Sequence, residues 1–336
     1  MRVLKLKAPP SVIGYAAVVG GKEHDGPLGA DFDLHDESGR FGMDTWEKSE
    51  SEMQRLALNL ALAKGKCGDD MPQVIFAGDL MNQCTGSAYG LLGFHKPYFG
   101  LYGACSTFAE ATVLSSMLIS AGYFKNAAAI SSSHFCSAER QFRFPLEYGG
   151  QRAPTAQWTA TAAGALILSA SGGGPYITEV LPGVIVDKGI SDVNNMGAAM
   201  APAAIDTLTA YFTESGKSPD DFDMILTGDL GAEGHSITLA LMKNNGFDMT
   251  RVYNDCGLLL YGLDSQDVHC GGSGCGCSAS VICGHILKRF ANGELKNVLL
   301  LSTGALMSPG RLKQGDTIPG IAHLVHFSSE PSGREA

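Results

Sequence analysis

One triplet occurs twice in this chain, as Gly78-Asp79-Leu80 and Gly228-Asp229-Leu230, 150 residues apart (228 minus 78). Each copy closes an apolar run of strand type, Val74-Ile75-Phe76-Ala77 or Met224-Ile225-Leu226-Thr227, too short for a helix. Ahead of each run lie paired acids, Asp69-Asp70 or Asp220-Asp221, and an apolar-periodic helix predicted over 49–64 or 199–214. The order keeps matching downstream. Helices are expected over 87–94 and 236–244, strands over 98–104 and 252–254, and long helices over 105–121 and 277–291. Strands follow over 127–131 and 298–303, and each half closes on a strand-type run, 163–170 and 323–327. A chain that repeats one α/β order twice is confined to two sheets related by a pseudo-two-fold axis, with the division between 175 and 176.

The two long helices say how the halves meet. Phe108, Ala109, Val113, Leu114, Met117 and Leu118 leave the first with almost no polar face, and Ala279, Val281, Ile282 and Ile286 do the same for the second. A helix apolar all round belongs inside a large protein. The expected architecture is therefore α/β in five layers, αβαβα, with both helices between the two sheets. At 336 residues and 45% hydrophobic, the chain can supply such a core. No run of about 20 residues is consistently apolar, so no membrane span is expected. The N-terminal apolar run, Ser11 to Val19, reads as a core strand after Pro9-Pro10 and not as an export signal. An odd number of cysteines, nine, fits reduced thiols in a cytosol-like compartment. A net charge of −10 argues against a nucleic-acid surface and obliges any acidic ligand to find local compensation.

Cys105 stands between a strand and the first buried helix, in Gly103-Ala104-Cys105-Ser106-Thr107. Unpaired N–H groups and the positive end of the helix dipole favour a thiolate or a bound anion there. A small buried thiol is the plainer reading. Its counterpart in the second half is the glycine-rich run from Cys270 to Cys277, where Ser273 and Gly274 offer donors for an anion. That run lacks the lysine of a nucleotide-binding loop. Its cysteine spacing, with Cys283 beyond, lacks the paired units of zinc or iron–sulfur sites, so no metal and no cofactor are expected there.

These features resemble the thiolase superfamily: the duplicated halves, the cysteine opening one central helix and the glycine loop opening the other. More narrowly, the chain resembles the stage V sporulation protein AD family of spore-forming bacteria. The segments that carry this are Lys22–Gly29, Ala77–Leu80, Gly103–Thr107, Ser132–Pro145, Tyr148–Gln151, Met200–Ile205, Leu226–Leu230, Asn254–Leu258 and Gly271–Ser278. The resemblance implies binding of dipicolinic acid (pyridine-2,6-dicarboxylate), in a role in its uptake into the forming spore and its release at germination. It also implies membrane proteins of the same spore channel complex as partners, and a homodimer. The expected location is peripheral at the inner membrane of the forespore, on the cytosolic side.

Thiolase-type chemistry needs a base and an oxyanion site besides the cysteine. The matching stretches here, Thr227–Gly231 and Gly272–Cys275, contain no histidine; His235 and His269 are the nearest substitutes. A binding protein without catalysis is therefore the expectation, and a cysteine-dependent acyltransferase is the alternative. Its pocket would use Cys105, Ser106 and His134, with Ser273 and Gly274 opposite. Arg140 and Arg143 could clamp carboxylates in two-point contact beside Phe142 and Phe144, or belong to a surface loop. His134 could equally be a satisfied core histidine. Asp79 and Asp229 read as turn formers before pocket walls.

Overall fold

The computed structural model describes residues 2–142 and 152–331. In the first half the order is β1 (Ser11–Gly20), α1 (Gly21–His24), β2 (Leu34–Asp36), α2 (Trp46–Lys64), β3 (Ile75–Gly78), α3 (Thr85–Leu91) and β4 (Tyr98–Gly100). It continues with α4 (Thr107–Ser120), β5 (Asn126–Ser133), α5 (Phe135–Phe142) and β6 (Ala162–Ser169). The second half runs β7 (Tyr176–Leu181), α6 (Met196–Ser215), β8 (Met224–Thr227), α7 (Gly231–Asn244), β9 (Tyr253–Asp255), α8 (Cys256–Leu260) and α9 (Cys275–Ser280). A π-helical turn (Val281–Ile286), α10 (Leu287–Ala291), β10 (Asn297–Ala305), α11 (Pro309–Leu312) and β11 (Gly320–Ser328) complete it. Helix α2 begins three residues before its predicted start because the Thr45 hydroxyl accepts from the Lys48 N–H and caps it.

Strand order is the same in both halves. The first reads β4-β3-β5-β6-β1, the second β9-β8-β10-β11-β7. In each, the first three strands are parallel and the last two pair antiparallel. The expectation of two separate sheets needs one correction. Ser11 pairs with Tyr176, joining β1 to β7, and the short strand Leu4–Lys5 pairs antiparallel with β7, so that strand and β1–β11 form one connected network of twelve. Only a few residue pairs make that joint, and a separate short parallel pair, Trp158-Thr159 with Gly272-Ser273, also links the halves.

Helix α4 packs on β3 and β5 of its own half and on β10 and β11 of the other, while α9 packs on β5, β6 and α4. Outside, α2 covers β1, β5 and β6, and α6 covers β10 and β11 with α7 against it. The five layers follow. A helix between sheets must satisfy its polar side chains internally. In α4 the Thr112 hydroxyl donates to the Phe108 carbonyl (2.8 Å) and the Ser115 hydroxyl to the Ala111 carbonyl (2.7 Å). The glycine of each Gly-Asp-Leu triplet has a packing reason. A Cβ at Gly78 would come 2.6 Å from Thr107 of α4, and one at Gly228 would come 3.2 Å from the Ser278 Cβ of α9. Both glycines let a central helix close onto a strand end.

Candidate functional site

The chain turns sharply from β4 into α4. Ala104 takes φ = 51°, a left-handed conformation that costs a non-glycine residue energy. Side chains hold the turn: the Ser106 hydroxyl donates to the Gly103 carbonyl (2.7 Å), the Thr107 hydroxyl donates to the Ala104 carbonyl (2.7 Å), and the Gly103 N–H donates to Thr107 Oγ1 (3.1 Å). Cys105, half-buried, is left facing a cavity of about 350 Å³ between the halves. That is the size of a small-molecule site. Leu80, Tyr102 and Phe142 line it from the first half, and Met196, Met200 and Met307 from the second. Gln157, Thr159, Asn194 and Ser273 supply its uncharged polar surface, and Glu139 and Lys313 its charged groups.

The second glycine loop meets Cys105 as the sequence placed it. Gly274 has φ = 100°, and a Cβ there would come 2.5 Å from Ser133 Oγ, so only glycine fits. From this loop the Ser273 side chain and the Gly274 backbone lie by the Cys105 thiol and act to lower its pKa. Both favour a thiolate, yet burial, followed by the nearby Asp229 charge, outweighs them and pushes the thiol up to about 12. Cys105 is a neutral thiol at physiological pH. Cys275 and Cys277 lie behind it, fully buried, with the Cys275 thiol donating to the Ser132 carbonyl at 2.9 Å.

Other candidates lie away from the cavity. Ser106 is fully buried and spends its hydroxyl on the turn. His134 is buried with both ring nitrogens engaged, Nε2 donating to the Gly39 carbonyl (2.9 Å) and Nδ1 accepting from the Cys136 N–H (3.1 Å). Burial lowers its pKa, so it is the satisfied neutral core histidine. Arg140 pairs with Glu47 at 2.7 Å on the outer surface. Arg143 and Phe144 lie outside the described residues. His235 stacks on Tyr253 (4.5 Å, 2°), and His269 bonds the Ala153 carbonyl (2.7 Å) and faces Asp267 (3.1 Å). Among the described residues no histidine lines the cavity.

Sequence reasoning missed Tyr102, Gln157, Asn194 and Lys313. Tyr102 stands three residues before Cys105 and read as strand. The other three sit in segments without a motif, and only the packing of the halves brings them to one space. Asp229 is the larger surprise. Its carboxyl is fully buried, and neither oxygen has a hydrogen-bond partner among the described residues, although Gln157 Nε2 holds its backbone carbonyl at 2.6 Å. Burial, then the Asp255 charge, raises its pKa well above the ordinary carboxylate range.

The family model described as stage V sporulation protein AD matches residues 1–328. Stage V sporulation protein AD of Bacillus subtilis (strain 168) is 42% identical over 319 residues, covering 95% of this chain and 94% of that protein. Among solved structures, cerulenin-bound OleA from Xanthomonas campestris superposes with a TM-score of 0.60 at 14% identity, covering 95% of this chain and 96% of that one. The 3-oxoacyl-(acyl carrier protein) synthase III of Aquifex aeolicus does so at 0.57 and 14%, covering 95% and 100%. At such identities the likeness establishes the fold, which is thiolase-like.

Proposed function

The chain belongs to the stage V sporulation protein AD family, and on that premise we propose that it binds dipicolinic acid, free or as its calcium chelate, in the cavity over Cys105. It does so without catalysis, serving uptake of the ligand into the developing spore and its release at germination. The observation that carries this reading is the cavity's chemistry. A thiol at about 12, a serine hydroxyl, amides, one glutamate and one lysine face a largely apolar space, and no imidazole reaches it among the described residues. A Claisen-type reaction would need a base to raise the nucleophile and another group to make a carbanion. A flat aromatic dicarboxylate needs apolar walls for its ring, donors for its oxygens and a cation to offset its charge. Leu80, Phe142 and the methionines offer the first, Ser273 and Gln157 the second and Lys313 the third. Calorimetric titration with dipicolinic acid, with and without calcium, tests the reading; absence of binding at millimolar ligand overturns it.

A second reading rests on a specific observation: Ser273 and Gly274 sit by the sulfur at a helix head and act to lower its pKa, and solved proteins of this fold include named synthases. On that reading Cys105 carries an acyl group. Intact-mass measurement after exposure to acyl-CoA separates the two, since only an acyltransferase yields an adduct that Cys105→Ala abolishes.

The same premise extends to assembly. We read residues 1–175 and 176–336 as two thiolase-like halves. Partner membrane subunits of a spore channel complex would hold the protein at the inner forespore membrane on its cytosolic face. No described helix is long and apolar enough to cross a membrane. A homodimer through β4 suits the exposed Tyr98 and Phe99 on that edge strand, a surface that favours pairing with another strand. Sedimentation of the wild type against Phe99→Lys tests it.

A further inference from the structure

The stretch between β1 and α2 carries a cluster that the cavity does not use. His24 ends α1, His35 lies in the middle of β2, and Glu37 follows that strand. One donor atom from each lies within 4.8 Å of the other two, and no other group of three or more such residues comes so close among the described residues. The backbone sets this meeting. Strand β2 pairs with β1, His35 beside Val19 and Asp36 beside Gly20, and α1 starts at the next residue, Gly21. Two glycines permit the approach. A Cβ at Gly21 would come 2.7 Å from Glu37 Oε2, and one at Gly29 would run into the His24 carbonyl.

The donors are also in suitable states. His24 Nδ1 lies 3.2 Å from the Gly29 carbonyl, which can only accept, so Nδ1 carries the proton and Nε2 keeps its lone pair. A histidine oriented this way by a backbone carbonyl is the usual arrangement behind a metal ligand. The two imidazole rings stack with centroids 3.5 Å apart at 4°, so one ring must turn out of the stack for both in-plane lone pairs to meet a single ion. His35 Nε2 stands 3.3 Å from Glu37 Oε1. Two ligand atoms each about 2.1 Å from a tetrahedral ion stand roughly 3.4 Å apart, so this pair is already at ligand spacing.

We propose that His24, His35 and Glu37 form a binding site for a divalent transition-metal ion, with zinc as its chemical match and an open position for water. Two imidazole nitrogens and one carboxylate suit a borderline ion; calcium and magnesium prefer oxygen sets. The ion would tie α1 to β2, and an ion that binds only the folded chain raises thermal stability. The site is independent of the cavity and of any ligand bound there.

Zinc chloride titrated into the metal-free full-length chain by calorimetry tests this, with cobalt chloride as a spectroscopic probe. The expected result is one zinc per chain, an affinity loss of about tenfold or more in His35→Gln and in Glu37→Gln, and a zinc-induced rise in melting temperature confined to the wild type. Both side chains are exposed, and circular dichroism checks that the variants fold; the wild type with and without zinc stands without them. Cobalt on this site gives only weak visible bands. No zinc binding, equal binding by His35→Gln, or an intense thiolate-to-cobalt band in the near ultraviolet overturns the proposal, the last by placing the ion on cysteine.

Discussion

The two Gly-Asp-Leu triplets have the same backbone setting and opposite side-chain fates. Asp79 is saturated: Oδ1 accepts from the Met81 N–H (3.0 Å), and Oδ2 accepts from the Ser87 N–H (2.7 Å) and hydroxyl (2.6 Å). It staples β3 to α3. Asp229 staples nothing. In the second half Asp255 on β9 takes the duty, accepting from the N–H groups of Leu230 (2.9 Å), Gly231 (3.1 Å) and Gly257 (3.0 Å) and from the Thr227 hydroxyl (2.7 Å). The two strand ends match, and in the second half the anchoring carboxylate sits on a neighbouring strand. Asp229 is thereby released beside Cys105. An aspartate that must hold a turn cannot also serve a site, and only the second half has freed its copy.

The isosteric pair Asp79→Asn and Asp229→Asn would break or sharpen this contrast most. An amide at 79 opposes donors with its own N–H₂ and should cost about 3 kcal/mol in urea unfolding. At 229 no side-chain hydrogen bond is lost, so the exchange should stay within about 1 kcal/mol. Equal costs would mean that Asp229 is anchored after all. Next comes a pH effect carried by a buried glutamate of the first half. Ser132 and Ser137 donate to the Glu50 carboxyl, which burial, with the Asp79 charge second, pushes from 4.5 up to about 8. A raised acid stays protonated in the fold while the unfolded chain ionises. Its stabilisation is therefore complete below 4.5 and lost as pH rises through about 8. Unfolding free energy across that window should fall in the wild type, by a few kcal/mol, and stay flatter in Glu50→Gln.

Smaller effects test the cavity side. Lys313→Ala should weaken dipicolinate binding about tenfold, roughly 1.4 kcal/mol by calorimetry. No loss would remove the lysine from the ligand's charge balance. Ser106→Ala should cost about 1 kcal/mol of stability and leave that affinity unchanged, because its hydroxyl serves the turn. A drop in affinity without destabilisation would return Ser106 to the site.

The site was legible where local geometry dictates it. Cys105 at a strand-to-helix turn, and Gly274 in a conformation only glycine tolerates, announce themselves by residue type and position. His134 and Arg140 carried the right functional groups, but whether a polar side chain meets a ligand or a neighbour depends on what packs beside it. Gly39 and Cys136 took the one, and Glu47 took the other. Asp229 could not have been separated from Asp79 by motif, since the difference lies in Asp255, 26 residues further on (255 minus 229).

By itself, then, the amino-acid sequence determined the repeated α/β order, the two buried central helices and the place of Cys105. Hydrophobic period, glycine positions and strand-to-helix transitions are properties of consecutive residues. Only the tertiary structure decided which few strand pairs join the halves, that Lys313, Asn194 and Gln157 share a cavity with Cys105, and that Asp229 is left unpartnered. Those outcomes depend on contacts between segments far apart in the chain. There burial and the competition for hydrogen-bond partners assign each side chain its state.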